Sequence, residues 1–478
     1  MTDQLANLGL CEAADAVARG EVTSEQLTRV ALNRLQKFGP QLNCVAAIDE
    51  DAALASARQA DVARAKGDKL GVLHGVPMAH KELFYRNGRP SNDGSIITQG
   101  YIPEVTSTAL TRLDQAGAVD MGLLHMAEFA MSPTGFNLHY GHVRNPWRLD
   151  ACPGGSSSGS GSAVAARLTY ASLGTDTGGS IRHPSAMCGI TGLKPTWSRV
   201  SAYGVMPLSK SLDCVGPLAR SARDCARMLA VTAGHDPWDA CSSQEAVPDF
   251  EAMLDGNIRG MKIALPGGYY REHLDTGVAA CLDEAERVFI DLGATIIRTE
   301  PPDMAVINRL MSVVITVEAA SHHKHWIAQR PQDYAEQVLA RFKPGLEFTG
   351  IDYYEAISTR ADWTCKWVEM TVRDADCALL PTIPVPVPSI EETTEGDWGV
   401  ISKKIATITH CNRGINYLGL PSLSVPAGFV NEMPAAFQLV GRAFDEGKLL
   451  RLGHAFQTVT AWHQAAPAWC ISQANTAT

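Results

Sequence analysis

The sequence lacks the marks of a membrane, secreted or nucleic-acid-binding chain. No stretch reaches about 18 consecutive apolar residues, the length that spans a bilayer. The opening MTDQLANLGLCEAADAVARG has neither the basic start nor the apolar centre of a secretory signal, so none is expected. No basic run exceeds a few residues. The 41 Lys and Arg are outnumbered by 51 Asp and Glu, for a net charge of −10 and a pI near 5.8. A phosphate-neutralising patch is therefore not expected, and with it no nucleic-acid partner and no membrane. The twelve cysteines include no Cys-x-x-Cys pair and no regular spacing. In a chain this long that pattern suits reduced, mostly buried thiols in a cytoplasm, with no zinc site.

What is present fits a large globular chain of ordinary composition. Of 478 residues, 45% are hydrophobic and 19% charged, enough for a sizeable core. Thr23 and Gln26 form a capping box for an amphipathic helix over 23–38, with Leu27, Ala31, Leu35 and Phe38 inward and Gly39-Pro40 as its stop. A second helix is expected over 51–66. The stretch 70–83 is strand-like, and 107–124 reads as a helix, a stop at Gly117 and a strand. After a polar stretch near 235–256 the alternation resumes: a strand at MKIALPG, a helix over 276–292, a strand at ATIIRTE, two further helices, then late strands and a closing helix. This alternation predicts an α/β architecture.

Two Gly/Ser clusters bear on chemistry. PGGSSSGSGS (153–162) has the composition of a flexible tether. Within it, GSSSG matches the G-x-S-x-G nucleophile elbow and points at Ser157, but the residues before it, VRNPWRLDACP, do not read as the strand an elbow needs. In GTDTGGSIR (174–182), Gly178 and Gly179 free the backbone just before Ser180. Successive N–H groups there could converge on an oxygen as an anion-binding nest, the alternative being an ordinary tight turn before Pro184. A serine nucleophile needs a base. None of the fourteen histidines is marked as that partner, and SHHKH (321–325) reads more readily as a solvated helix face than as a metal site. Lys81, in GVPMAHKEL, can serve if its pKa falls by about three units from roughly 10.4, a cost of about 4–5 kcal/mol that burial among hydroxyls and amides supplies. The alternative is a lysine at a strand end that reaches out to water.

Together these stretches resemble the amidase signature family, in order and spacing, over nearly the whole chain. GVPMAHKE matches its lysine motif, GGSSSGS its central signature and GTDTGGSIR its nucleophile motif. CGITGLKPT (188–196), RNPW (144–147), SLD (211–213) and NYLGLPSLSVPAGF (from 416) also fit. The resemblance implies one α/β unit over 1–478, a large mixed, twisted sheet flanked by helices on both faces. Its core signature would lie at about 70–215, with 235–256 an excursion. It implies a Ser–cis-Ser–Lys triad: Ser180 acylated, Ser156 bridging after a cis peptide, Lys81 as base. Thr177, Gly178 and Gly179, with Ser180, would offer the oxyanion N–H groups. The segment EFAMSPTGFN (128–137) matches a family loop beside the site, so Ala130, Met131 and Ser132 are expected at the substrate, or as support for it. Met311, Trp326, Phe342, Phe348 and Tyr353 are candidates for an apolar pocket wall, though such residues are more often core. The implied reaction is hydrolysis of a carboxylic amide through an acyl-enzyme, without cofactor or metal. A small-molecule amide is the expected partner, a homodimer being left open. Two alternatives remain: the amidase subunit of a tRNA-dependent amidotransferase, a glutaminase with its partner, or a hydrolase of a related hydrazide or ester.

Overall fold

Eleven strands form two sheets in the computed structural model, which describes residues 2–471. A small sheet holds β1 (Val45–Ile48), β2 (Pro77–Lys81) and β3 (Val119–Leu124), in the order β1-β3-β2. The large sheet holds β4 (Ala171–Asp176), β5 (Thr191–Lys194), β6 (Cys214–Ala219), β7 (Lys262–Pro266), β8 (Thr295–Thr299), β9 (Cys377–Pro381), β10 (Ser422–Val430) and β11 (Met433–Val440). Its order is β4-β6-β5-β10-β11-β9-β7-β8. Pairs from β4 to β9 are antiparallel, while β9/β7 and β7/β8 are parallel, so the sheet is mixed.

Successive strand residues point to opposite faces, and here they feed different cores. Leu439, Leu379 and Ile263 join Phe289 and Phe456 in one cluster. Their neighbours Val440, Leu380 and Ala264 join Met311, Trp367 and Tyr417 in another. Helices therefore cover both faces, as expected. The small sheet was not foreseen as separate; its strand β2 packs against β4 through side chains rather than through ladder bonds. Leu173 N donates to His80 Nδ1 at 3.0 Å and Ala79 N to Thr169 Oγ1 at 3.2 Å.

Local signals are mostly honoured. Thr23 and Gln26 make the capping box of helix Ser24–Leu42, which runs past Gly39-Pro40 and ends at Asn43, in the left-handed conformation (φ +48°). A proline in the last turn forfeits only one helical bond, so it does not stop the helix there. Asp49 caps helix Glu50–Lys66 and Ser107 caps helix Thr108–Gln115, which β3 follows. The strand expected over 70–83 is only Pro77–Lys81, because Leu73, His74 and Gly75 form turns. All twelve cysteines are free.

Candidate active site

Three segments distant in sequence meet above the large sheet's β4 edge. Lys81 is the last residue of β2 and is fully buried. Its Nζ donates to Ser156 Oγ and to Thr175 Oγ1, both at 2.8 Å. Ser156 precedes helix Ser158–Ala165, and the Gly155–Ser156 peptide is cis. Gly155 is required by contact: a Cβ there would stand 2.4 Å from the Ser132 carbonyl oxygen. The entire tract 153–162 is buried, which removes the tether reading. Ser157, the elbow candidate, is a strap. Its hydroxyl donates to the Thr175 carbonyl and accepts from Thr175 N, both at 3.3 Å, and its N–H donates to the Ser180 carbonyl at 3.3 Å.

Ser180 sits between β4 and helix Arg182–Cys188. Asp176, at the end of β4, holds this turn. Its Oδ1 accepts from Gly179 N at 2.7 Å and its Oδ2 from Ile181 N at 3.1 Å. Arg182 donates Nε to Oδ2 at 3.0 Å and Nη2 to Oδ1 at 3.1 Å, and Asn416 Nδ2 adds a bond at 2.8 Å. One expectation is corrected here: the Gly179 N–H is committed to Asp176 and does not face an oxyanion. Gly179 serves by shape instead. Its φ is +126°, and a Cβ would lie 2.2 Å from the His183 ring. The N–H groups of Thr177, Gly178 and Ser180 have no acceptor among the described residues. Thr177 is anchored by its hydroxyl, which donates to Asp213 Oδ1 at 2.5 Å. The β4/β6 register explains the contact: Asp176 pairs with Cys214, leaving Asp213 beside Thr177.

Burial decides the charges. It lowers Lys81 to about 7, although Asp213, Asp176 and Glu82 pull the other way. The hydroxyl surroundings expected from the sequence are present in Ser156 and Thr175, with carboxylates nearer than foreseen. Burial raises Asp213 to about 6 against the bonds it accepts from Thr177, Ser209 and Leu208. Burial alone would raise Asp176 too, but Arg182, Lys194 and Asn416 outweigh it and hold the carboxyl well below its ordinary range.

A cavity of about 480 Å³ opens at Ser180. Ala130, Met131, Ser132, Thr177 and Gly178 line it with Ser180, so the loop 130–132 borders this cavity. Lys81 and Ser156 lie outside its lining. Met311 and Phe348 are wall residues, whereas Trp326 stacks on Phe129 and Phe342 on His323 in the interior. Tyr353 donates to Glu318 at 2.7 Å. In SHHKH, His322, Lys324 and His325 are exposed as expected, but His323 is buried and bonds the Tyr334 hydroxyl at 2.9 Å. Sequence reasoning missed Thr175, Asp176, Asp213, Arg341 and Arg413. An aspartate inside the otherwise uncharged run ASLGTDTGG was the one local signal available.

The fold and site define a class, amide-cleaving enzymes built on a mixed sheet. A structure described as a vestigial protein complex bearing on the origins of an s-triazine catabolic enzyme superposes with a TM-score of 0.88, at 30% identity, over 94% of this chain and 98% of that one. A glutamyl-tRNA(Gln) amidotransferase subunit from Thermotoga maritima gives 0.80, at 28% identity, over 93% and 94%. The sequence profile of the amidase family matches residues 26–450, and the chain belongs to that family. It is an enzyme acting on amide C–N bonds. The corresponding glutamyl-tRNA(Gln) amidotransferase subunit from Pseudomonas syringae pv. syringae is 38% identical over 96% of this chain and 98% of its own length. These relatives overturn one expectation. They are named as subunits of an enzyme for a tRNA, so a small-molecule amide without nucleic acid is not the partnership the comparisons support. The acidic net charge misled because the charge of one chain says little about a substrate that a multi-subunit enzyme handles.

Proposed function

We propose that this chain is the amide-cleaving subunit of a tRNA-dependent amidotransferase, working by acyl transfer to Ser180. The near full-length similarity to such amidotransferase subunits carries the assembly reading. The bond between Lys81 Nζ and Ser156 Oγ supports the mechanism. Neutral Lys81 takes the hydroxyl proton of Ser156 while Ser156 takes that of Ser180, and Ser180 Oγ attacks the amide carbon. The free N–H groups of Thr177, Gly178 and Ser180 receive the oxyanion, each such donor contributing about 3–4 kcal/mol. The C–N bond breaks as the relay returns the proton to nitrogen. Water then adds to the ester through the same relay and frees the carboxylate and Ser180. The chain acts as one unit, with 235–256 an excursion: Phe250 is fully buried beside the Arg199 guanidinium, and β7 rejoins the large sheet. Its unpaired thiols suit a reducing cytoplasm.

The test is reconstitution. The chain is combined with the other subunits of its own amidotransferase, with tRNA(Gln) carrying glutamate, with glutamine as the amide donor and with ATP to activate the glutamyl carboxylate, and conversion to glutaminyl-tRNA is followed. Conversion that stops with Ser180→Ala is expected; an assembly that converts equally well without this chain sinks the reading. A pH profile tests the base. Protonated Lys81 cannot accept a proton, so kcat/KM is expected to climb about tenfold per pH unit below a midpoint of about 7 and to level above it. A flat profile from pH 5.5 to 8.5 would remove Lys81 from that role.

A further inference from the structure

Asp213 closes the stretch SLD (211–213) and meets the reacting turn from outside the triad. Its two carboxylate oxygens serve different neighbours. Oδ1 accepts from the Thr177 hydroxyl at 2.5 Å. Oδ2 accepts from Leu208 N at 2.9 Å and Ser209 N at 3.0 Å, and Leu208 lines the cavity. The loop that carries Asp213 is anchored in turn. Glu318, on helix Met304–Gln329, accepts from the Ser209 hydroxyl at 2.7 Å, the Ser211 hydroxyl at 2.6 Å and Ser211 N at 3.1 Å. Arg360 donates to the Ser211 carbonyl at 2.7 Å.

The turn at Ser180 is held from two sides. The Asp176 clamp takes Gly179 N and Ile181 N, so it fixes the half that carries Ser180. At the other end the Asp176 carbonyl accepts from Asn416 Nδ2 at 2.9 Å, which fixes the plane of the peptide entering Thr177. Between them lies the Thr177 Cα, the pivot from which the Thr177 and Gly178 N–H groups leave. The chain after it runs into two glycines, which have the widest choice of backbone angles and no side chain to anchor. The buried Thr177 side chain supplies the hold at that pivot, and its hydroxyl is bonded to Asp213.

We propose that Asp213 is the positioning residue of the oxyanion turn: through the Thr177 hydroxyl it sets the direction of the Thr177 and Gly178 N–H groups, while its other oxygen holds the cavity wall at Leu208. The proposal rests on the reading of Ser180 as the nucleophile. An oxyanion is stabilised by donors already aimed at it, and a displacement of about 1 Å costs on the order of 100-fold in rate. Asp213 lies outside the cavity lining, so its effect falls on kcat rather than on KM.

Three variants of the reconstituted enzyme, with glutamine as the amide, separate position from charge. Thr177→Val and Asp213→Ala each break the bond and are expected to lower kcat by about 10–100-fold with KM within about twofold. Asp213→Asn keeps an oxygen for Leu208 and Ser209 and an N–H for the Thr177 hydroxyl, so it should recover most of the loss. The pH profile reads the charge. Lys81, Cys214 and Glu318 are the titratable groups that bear on Asp213. The carboxylate helps Lys81 keep its proton, so Asp213→Asn should move the acid midpoint of kcat/KM down from about 7 by roughly half a unit, while Thr177→Val leaves it in place. Native kcat in Thr177→Val, or Asp213→Asn as impaired as Asp213→Ala, overturns the proposal. Fluorophosphonate labelling of the single chain reads the same turn without an amide or a partner, since the phosphoryl oxygen of the probe takes the place of the oxyanion. Its rate should fall about tenfold in Thr177→Val. An unchanged rate there, with no label on Ser180→Ala, overturns the proposal and leaves the nucleophile reading standing. Label on Ser180→Ala removes that reading, and the proposal with it.

Discussion

Ser180→Ala is expected to lower amide turnover by roughly 10⁵-fold or more while leaving the fold intact. The size follows from the arrangement. Ser180 is the one hydroxyl of the two Gly/Ser clusters that reaches the cavity as a serine, and its turn carries the N–H groups free to meet an oxyanion. Removing it leaves water to attack the amide carbonyl directly, with no hydroxyl at that place to take up the acyl group. The fold should survive, because the Ser180 side chain makes no hydrogen bond among the described residues, and its backbone is held through Ser157 and the Asp176 clamp. Two measurements check this. Steady-state kinetics should show the loss at unchanged thermal stability. A fluorophosphonate probe should add its mass to the native chain and not to Ser180→Ala. Labelling or full activity in the variant would place the nucleophile elsewhere.

Arg182→Met should be the most destabilising single change near the site, by about 3–5 kcal/mol in denaturant unfolding. Arg182 and Asp176 are both fully buried and face each other through two bonds. Methionine fills much of the volume but leaves Asp176 as a buried charge without its cation. Arg182 also donates to Gln438 Oε1 at 2.9 Å and to Asn416 Oδ1 at 2.5 Å, so β11 and helix Arg413–Tyr417 lose a shared anchor. The pH dependence has a definite sign. The native Asp176 carboxyl lies below its unfolded value, so its pairing stabilises the fold above that value and the gain fades as pH falls through the native one. In Arg182→Met the carboxyl is raised by burial, and acid relieves it by protonation. The stability gap between native and variant is therefore expected to be largest at neutral pH and to narrow on acidification. The double variant Asp176→Asn/Arg182→Met should recover part of the loss. A single-variant loss under about 1 kcal/mol would show that the pair is not the clamp described.

The candidate triad was legible because its surroundings are unusual in composition. Glycines crowd Ser156 and Ser180 where backbones approach within a Cβ's reach, and Lys81 closes an apolar strand with nothing polar before it but His80. The strands themselves were less legible. Asp176 lies on β4, which is buried along its whole length, so no alternation of polar and apolar residues marks it. The Gly179 N–H was misassigned because sequence cannot tell which of several adjacent N–H groups a carboxylate will take. Arg341 and Arg413, which line the cavity, carried no signal: each stands among ordinary helix residues, more than 150 positions from Ser180.

By itself, then, the sequence determined the α/β class, the capping box at Thr23 and Gln26, the family and the glycine-rich turns where backbones approach closely. These depend on neighbours a few positions apart. Tertiary structure alone decided that β2 stands in a sheet of its own beside β4, that Lys81 is buried against Ser156 and Thr175, and that Asp213 meets the Thr177 hydroxyl. A lowered lysine and a raised aspartate are products of desolvation, and desolvation is set by which distant segments the fold packs together.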